Sequence, residues 1–290
     1  MLKKHGRYSY SSLPKRTPYE WPNGKKLAVY VAMNIEAFSY GEGKGAAIAP
    51  PEQAMSHSIF SWRDYGNRVG IYRFFDALDK YGITPSIAMN THVAQRYPYL
   101  LSKVVERGHE ILCHGDHMDA LHYGGQSIEE EAELVRKSLE ELRKLSGQPI
   151  KGWISPAKNE SSNTPQLLAA NGIEYFCDWV NDDMPYKFHT EQGDLTAMPL
   201  STELEDRFII MNNLHSESSY KEQVIDACDF LLDEATTQGG RILALNLHPW
   251  LLGQPHRIQT LEQVFEYLSS QEEIWSASPM EILTAFKSQT

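Results

Sequence analysis

Five apolar runs in this chain end on polar side chains: Glu36 after Met33-Asn34-Ile35, His114 after Ile111-Leu112-Cys113, Ser155 after Trp153-Ile154, Asp178-Trp179 after Phe176-Cys177, and His248 after Ile242–Leu247. Two histidines, a glutamate and an aspartate gathered at one rim would supply a general base, a general acid and a group to orient the acid. Taken alone, His248 could equally be a core histidine bonded to a backbone carbonyl. Ionisable residues at four of five strand ends are not what packing alone produces.

The elements that must position them alternate regularly. Lys26 to Glu36 reads as a first buried strand, followed by an irregular stretch from Ala37 to Gly66 that contains Gly41, Gly43, Gly45, Pro50 and Pro51. Asn67 is placed to cap a helix over 68–81, whose Val69, Tyr72, Phe75 and Leu78 share one face. Strands at 84–90, 109–114, 150–154 and 173–178 alternate with helices at 91–106, 127–146 and 163–171. Strand-like pieces near 195–199 and 207–212, a helix at 219–237, the strand ending at His248, a helix at 258–269, a strand at 274–277 and a terminal helix complete the chain. Such alternation implies parallel strands joined by right-handed crossovers, with the chemistry at their carboxyl ends. About seven core strands emerge, in one domain spanning 1–290, with 1–26 as an extended arm rich in aromatics and prolines.

The bulk numbers narrow the partners. The formal charge of −11 opposes binding to a phosphate backbone, which needs a basic surface. No run resembles a signal peptide or reaches the roughly 20 apolar residues of a membrane span, so a cytoplasmic protein is expected. Cys113, Cys177 and Cys228 are odd in number and unpaired by motif, which favours reduced thiols. His114, His117 and His122 lie close enough in sequence to raise a metal site, but histidine spacing on a loop is a weak signal.

The order of motifs resembles the polysaccharide deacetylase (NodB-homology) superfamily over about residues 7–285, and within it the branch of cofactor-independent allantoinases and cyclic-imide hydrolases. The resemblance rests on Trp21-Pro22-Asn23-Gly24-Lys25, on Arg63 to Arg68, on Asp182-Asp183-Met184-Pro185-Tyr186 and on His248 to Arg257. It implies an α/β fold, a distorted seven-stranded (β/α) barrel. Of the family's five short motifs, the Asp-Trp and Leu-x-Leu-His ones are present as Asp178-Trp179 and Leu245-Asn246-Leu247-His248. The other three depart: Asn34-Ile35-Glu36-Ala37-Phe38 carries one carboxylate instead of two, Met118 stands where a second metal-binding histidine belongs, and Ile154 replaces the third motif's arginine.

What the resemblance implies is a hydrolase of non-peptide carbon–nitrogen bonds, acting on a small cyclic amide, imide or ureide. Glu36 and His114 would activate water, in an order left open, and His248, oriented by Asp178, would protonate the leaving nitrogen. Asn34, Arg63, Asp64, Arg68, His256 and Arg257 would hold polar edges of the substrate, with Trp153, Trp179 and Trp250 as walls. No cofactor is expected; a divalent metal such as zinc, if bound, would use Glu36, His114 and His117. The alternatives are a metal-dependent carbohydrate or peptidoglycan N-deacetylase and a catalytically lapsed small-molecule-binding protein. A homodimer or homotetramer is expected, with no nucleic-acid or membrane partner.

Overall fold

Every residue of β1 (Leu27–Ile35) is buried, because the strand has packed matter on both faces. Its odd-numbered residues, Leu27, Val29, Val31, Met33 and Ile35, pack with helix residues such as Phe74, Val104 and Leu139. Ala28, Tyr30 and Ala32 instead join Ala88, Leu112, Ile154, Tyr175 and Cys177 in an inner cluster. Side chains alternate across a strand with period two, so the inner file of β1 continues to Asn34 and Glu36.

The computed structural model describes residues 5–40 and 57–289. After β1, α1 (His57–Tyr65) runs through a π-helical turn at Gly66–Gly70 into α2 (Ile71–Tyr81), and β2 (Pro85–Met89) follows. The predicted helix over 91–106 is two, α3 (Thr91–Arg96) and α4 (Pro98–Glu106), because Pro98 lacks the N–H that would continue the first. Next come β3 (Glu110–Cys113), α5 (Ile128–Ser146), β4 (Gly152–Trp153), α6 (Thr164–Ala170) and β5 (Tyr175–Phe176). Ser127 caps α5, accepting from the Glu130 N–H, and Gly147 ends it in the left-handed conformation.

The remaining elements are a hairpin of β6 (Tyr186–Thr190) and β7 (Gly193–Ala197), then α7 (Glu217–Gln238), β8 (Arg241–Leu247), α8 (Pro249–Leu252), α9 (Ile258–Ser270), β9 (Ile274–Ser276) and α10 (Pro279–Lys287). β7, β5, β4, β3, β2, β1 and β8 lie side by side in parallel, seven strands in a curled sheet. β6 is antiparallel outside β7, and β9 pairs with the start of β1. The result is the distorted barrel expected from the sequence.

Two expectations are corrected, and one strand was missed. The predicted strand at 207–212 is a helical turn, Phe208–Asn212, since a short apolar run fits either state. Asn67 caps nothing, because α1 starts ten residues earlier and the helical path runs through it; its amide donates to the Glu36 carbonyl at 2.9 Å instead. The hairpin strand β6 had no sequence counterpart.

Residues 5–26 lie along the same chain. Arg7 donates to the Ser162 carbonyl, Tyr8 packs edge-on against Trp179 and Tyr186, Arg16 pairs with Asp182, and the indole of buried Trp21 donates to the Arg241 carbonyl. Among the described residues, no helix is long and apolar enough to cross a membrane. All three cysteines are buried free thiols.

Candidate active site

A cavity of about 130 Å³ opens at the carboxyl ends of the strands, lined by Asn34, Glu36, His114, Ile154, Asn246 and His248 together with Met118, Ala157, Lys158, Thr202, Glu205 and Arg207. The first six follow from period two: each continues an inner file, Ala32 to Asn34 to Glu36 on β1, Leu112 to His114 on β3, Gly152 to Ile154 on β4, and Ala244 to Asn246 to His248 on β8. Sequence parity therefore decides which strand-end residues enter the site.

Parity also excludes some expected members. Asp178 is out of phase with inner Cys177, and Trp153 with inner Ile154. The Asp178 carboxylate accepts from the Ser155 N–H at 2.8 Å rather than touching His248. Trp153 bonds the Ser155 hydroxyl, and Trp179 bonds Glu160 while packing on Tyr8 and Phe188. Neither tryptophan lines the cavity. Asp64 is engaged with Asn67 and the Tyr97 hydroxyl, Arg68 and His256 are exposed, and Arg257 pairs with Glu217 at 2.6 Å. None of these four borders the cavity.

The partner of His248 is Asp206. Its Oδ1 lies 2.6 Å from His248 Nδ1, and its Oδ2 accepts the His248 backbone N–H at 2.8 Å. Nε2 of His248 then faces Glu36, 3.8 Å from Oε1. Burial disfavours charge on the imidazole, but the carboxylates of Asp206 and Glu36 outweigh it and raise its pKa above 6.5.

His114 is placed in the opposite state. Its Nδ1 lies 2.8 Å from the Ile154 carbonyl, which can only accept, so this nitrogen carries the proton and Nε2 keeps its lone pair. Burial pushes its pKa below 6.5 despite the nearby Glu36 carboxylate. Burial alone would raise the pKa of Glu36, yet His248, Arg63 and His114 together pull it below 4.5. Trp250 donates its indole N–H to Glu36 Oε2 at 3.0 Å, and the Arg63 guanidinium stacks 3.6 Å over the Trp250 ring. Arg63 and Trp250 thus stand behind Glu36 and not along the cavity wall.

A polar chain completes the far wall. Asn34 gives both amide hydrogens away, to Asn246 Oδ1 at 2.7 Å and the Leu247 carbonyl at 3.0 Å, so its amide is no free donor to a substrate. Asn246 donates to Glu205 Oε2 and Arg207 to Glu205 Oε1, both at 3.1 Å. Lys158 reaches in from a turn in which Ala157 and Lys158 both have positive φ, 56° and 52°, a conformation that costs non-glycine residues energy and clusters at functional sites. Glu205, Asp206, Arg207 and Asn246 were not foreseen; the Ser155–Lys158 loop was expected to offer backbone N–H groups to an oxyanion, but the Lys158 side chain was not. The dense run Glu203-Leu204-Glu205-Asp206-Arg207, in a segment without regular periodicity, was the available signal.

The metal that the motif resemblance would imply does not fit these residues. Glu36 and His114 are present, but Met118 occupies the cavity wall and His117 turns away to Asp116, at 3.1 Å. Among the described residues, the group of three donors whose ligand atoms lie within 4.8 Å of one another is His92, Asp116 and His117, not a set containing Glu36.

Comparison with known proteins agrees with the resemblance read from the motifs. Residues 56–176 match the polysaccharide deacetylase family model. A Schizosaccharomyces pombe protein assigned as a polysaccharide deacetylase is 24% identical over 300 residues, covering 93% of this chain and 92% of the relative. The crystal structure of PuuE allantoinase superposes with a TM-score of 0.84 at 25% identity, over 94% of this chain and 95% of that one. A Pseudomonas aeruginosa structure assigned to the polysaccharide deacetylases gives a TM-score of 0.83 at 24% identity, over 95% and 96% of the two chains.

Proposed function

We propose that this chain hydrolyses a carbon–nitrogen bond in a small cyclic amide, imide or ureide, without a metal. The observation that carries the reading is the opposed setting of the two cavity histidines: His114 Nδ1 faces a carbonyl and burial favours its neutral form, whereas His248 lies between the Asp206 and Glu36 carboxylates, which favour its protonated form. Environments that drive two titratable groups apart mark the base and the acid of a hydrolase.

In this reading a water bonded to Glu36 Oε1 or His114 Nε2 loses a proton as its oxygen attacks the carbonyl carbon. The carbonyl electrons collect on oxygen, stabilised by the ammonium of Lys158, which commits two of its three hydrogens to the Leu200 carbonyl and the Thr202 hydroxyl. When the carbon–nitrogen bond breaks, His248 gives its Nε2 proton to the departing nitrogen, and Asp206 stabilises the charge and orientation of the ring beforehand. The cavity is well below the several hundred Å³ typical of drug-sized ligands, which suits a single compact ring. Similarity to PuuE allantoinase supports a ureide among the candidates.

The match to polysaccharide deacetylases favours a second reading, removal of an N-acetyl group from a sugar. A hydrolysis screen over hydantoins, ureides, cyclic imides and N-acetyl sugars, with and without chelator, separates the two. The first reading expects turnover of a cyclic substrate that survives chelation and is lost in Glu36→Gln and His248→Ala. Chelator-sensitive release of acetate from the sugars would replace it.

A further inference from the structure

We infer that His92, Asp116 and His117 form a binding site for one divalent transition-metal ion, zinc above all, outside the reaction cavity. The inference is independent of which substrate the cavity takes.

The site is assembled by backbone. The His92 N–H donates to the Asp116 carbonyl and the Thr91 N–H to the Gly115 carbonyl, both at 3.0 Å, which clamps the first turn of α3 against the loop leaving β3. The side chains then meet on the outer side of that loop. Nδ1 of His92 is 3.3 Å from Asp116 Oδ1, Nδ1 of His117 is 3.1 Å from Asp116 Oδ2, and the two rings stand at 70° with centroids 4.9 Å apart. One donor atom from each residue lies within 4.8 Å of the other two, against roughly 3.4 Å for ligand atoms arranged tetrahedrally at about 2.1 Å from a zinc ion, so small side-chain shifts would close a coordination shell.

Two imidazoles and one carboxylate form a borderline donor set that favours zinc, copper or nickel over magnesium or calcium. The side chains of His92, Asp116 and His117 are 51%, 29% and 26% exposed, which leaves room for a water as fourth ligand and for entry of the ion. None of the three lines the cavity, whereas His114 and Met118, on either side of Asp116-His117, both do. An ion here would therefore brace the loop that presents His114, and would not generate the attacking water. The competing account is that Asp116 simply hydrogen-bonds two histidines, and metal titration separates it.

The test is titration of the untagged full-length chain with cobalt(II), followed by its visible ligand-field bands, and with zinc by calorimetry. One ion per chain is expected, with proton release growing as pH falls because both imidazoles must be neutral. His92→Ala combined with His117→Ala should weaken binding by more than roughly tenfold, a minimum for loss of direct ligands. Asp116→Asn serves as a second variant that perturbs less. Glu36→Gln should leave the cobalt spectrum unchanged. Absence of cobalt bands, undiminished binding in the double variant, or loss of binding in Glu36→Gln would each overturn the assignment.

Discussion

His248 and Asp206 are buried together, with both oxygens of the one carboxylate engaged by the other residue, Oδ1 at the ring and Oδ2 at the backbone N–H. The acid histidine is thus held at two points by a residue 42 positions away, in a segment that belongs to no strand of the sheet.

Asp206→Asn should preserve the fold and reduce kcat by about two orders of magnitude or more, the range of a general acid's contribution. Asparagine keeps the shape but removes the charge that stabilises imidazolium. Steady-state kinetics should show kcat falling more than KM rises. Asp178→Asn, by contrast, should leave kcat within about threefold, because a carboxylate bonded to the Ser155 N–H transmits nothing to His248.

The pH–rate profile should be bell-shaped. Glu36 and His114 must be unprotonated, and their pKa values are displaced below 4.5 and 6.5, so activity appears as pH rises through the acidic range. His248 must be protonated and its pKa is displaced above 6.5, so activity is lost as pH rises beyond that raised value. Asp206→Asn should move the alkaline limb to lower pH, measured as kcat/KM against pH. A profile unchanged in that variant would remove Asp206 from the proposed role.

Glu160→Gln should stabilise the protein above about pH 5. Burial and the neighbouring Asp178 carboxylate raise the Glu160 pKa to about 9, so the folded chain holds a proton there that the unfolded chain releases near 4.5. The stability from that proton is full below 4.5 and disappears as pH rises towards 9. Glutamine carries the uncharged shape permanently, and a gain of about 1 kcal/mol or more at pH 8 is expected from urea unfolding. A loss at pH 8 would contradict the assignment of this proton to folded Glu160.

Gly70→Ala should destabilise by about 3 kcal/mol, the upper range for overpacking. A β-carbon at Gly70 would lie 2.0 Å from the Pro249 carbonyl oxygen, and one at Gly66 would lie 2.7 Å from the Trp250 nitrogen. Backbone here meets backbone, so no side chain can swing aside. Chemical denaturation of Gly70→Ala beside Gly108→Ala isolates the contact, since Gly108 has open space around it and only its positive φ, 70°, to penalise.

The strand ends were legible because alternation and burial are local properties. Glu36, His114 and His248 each terminate an apolar run, and the structure places all three on one cavity. Asp178 misled because a strand of two residues, Tyr175–Phe176, gives too short a pattern to fix which face the next residue takes. Asp206 was hidden for a different reason. Its role is created by a long-range approach of the short helical stretch at 206–212 to β8, and no local period encodes such a contact. Arg63 was flagged, but its place behind Glu36 comes with stacking over Trp250, a long-range contact that leaves no periodic signature.

Among the described strands β8 pairs with β1 alone, and beyond its other edge lies a groove of about 570 Å³ bordered by Ile242, Leu243 and Ala244 on one side and Pro199, Leu200 and Leu204 on the other. The sheet is therefore an unclosed ring, and the chain that supplies Glu205, Asp206 and Arg207 skirts its gap. The same opening makes the seam a place of weak cooperativity with the rest of the sheet. Amide hydrogens of residues 199–207 should exchange with solvent well before those of β1, and the acid half of the machinery should be the first part of the site to come apart under mild denaturant.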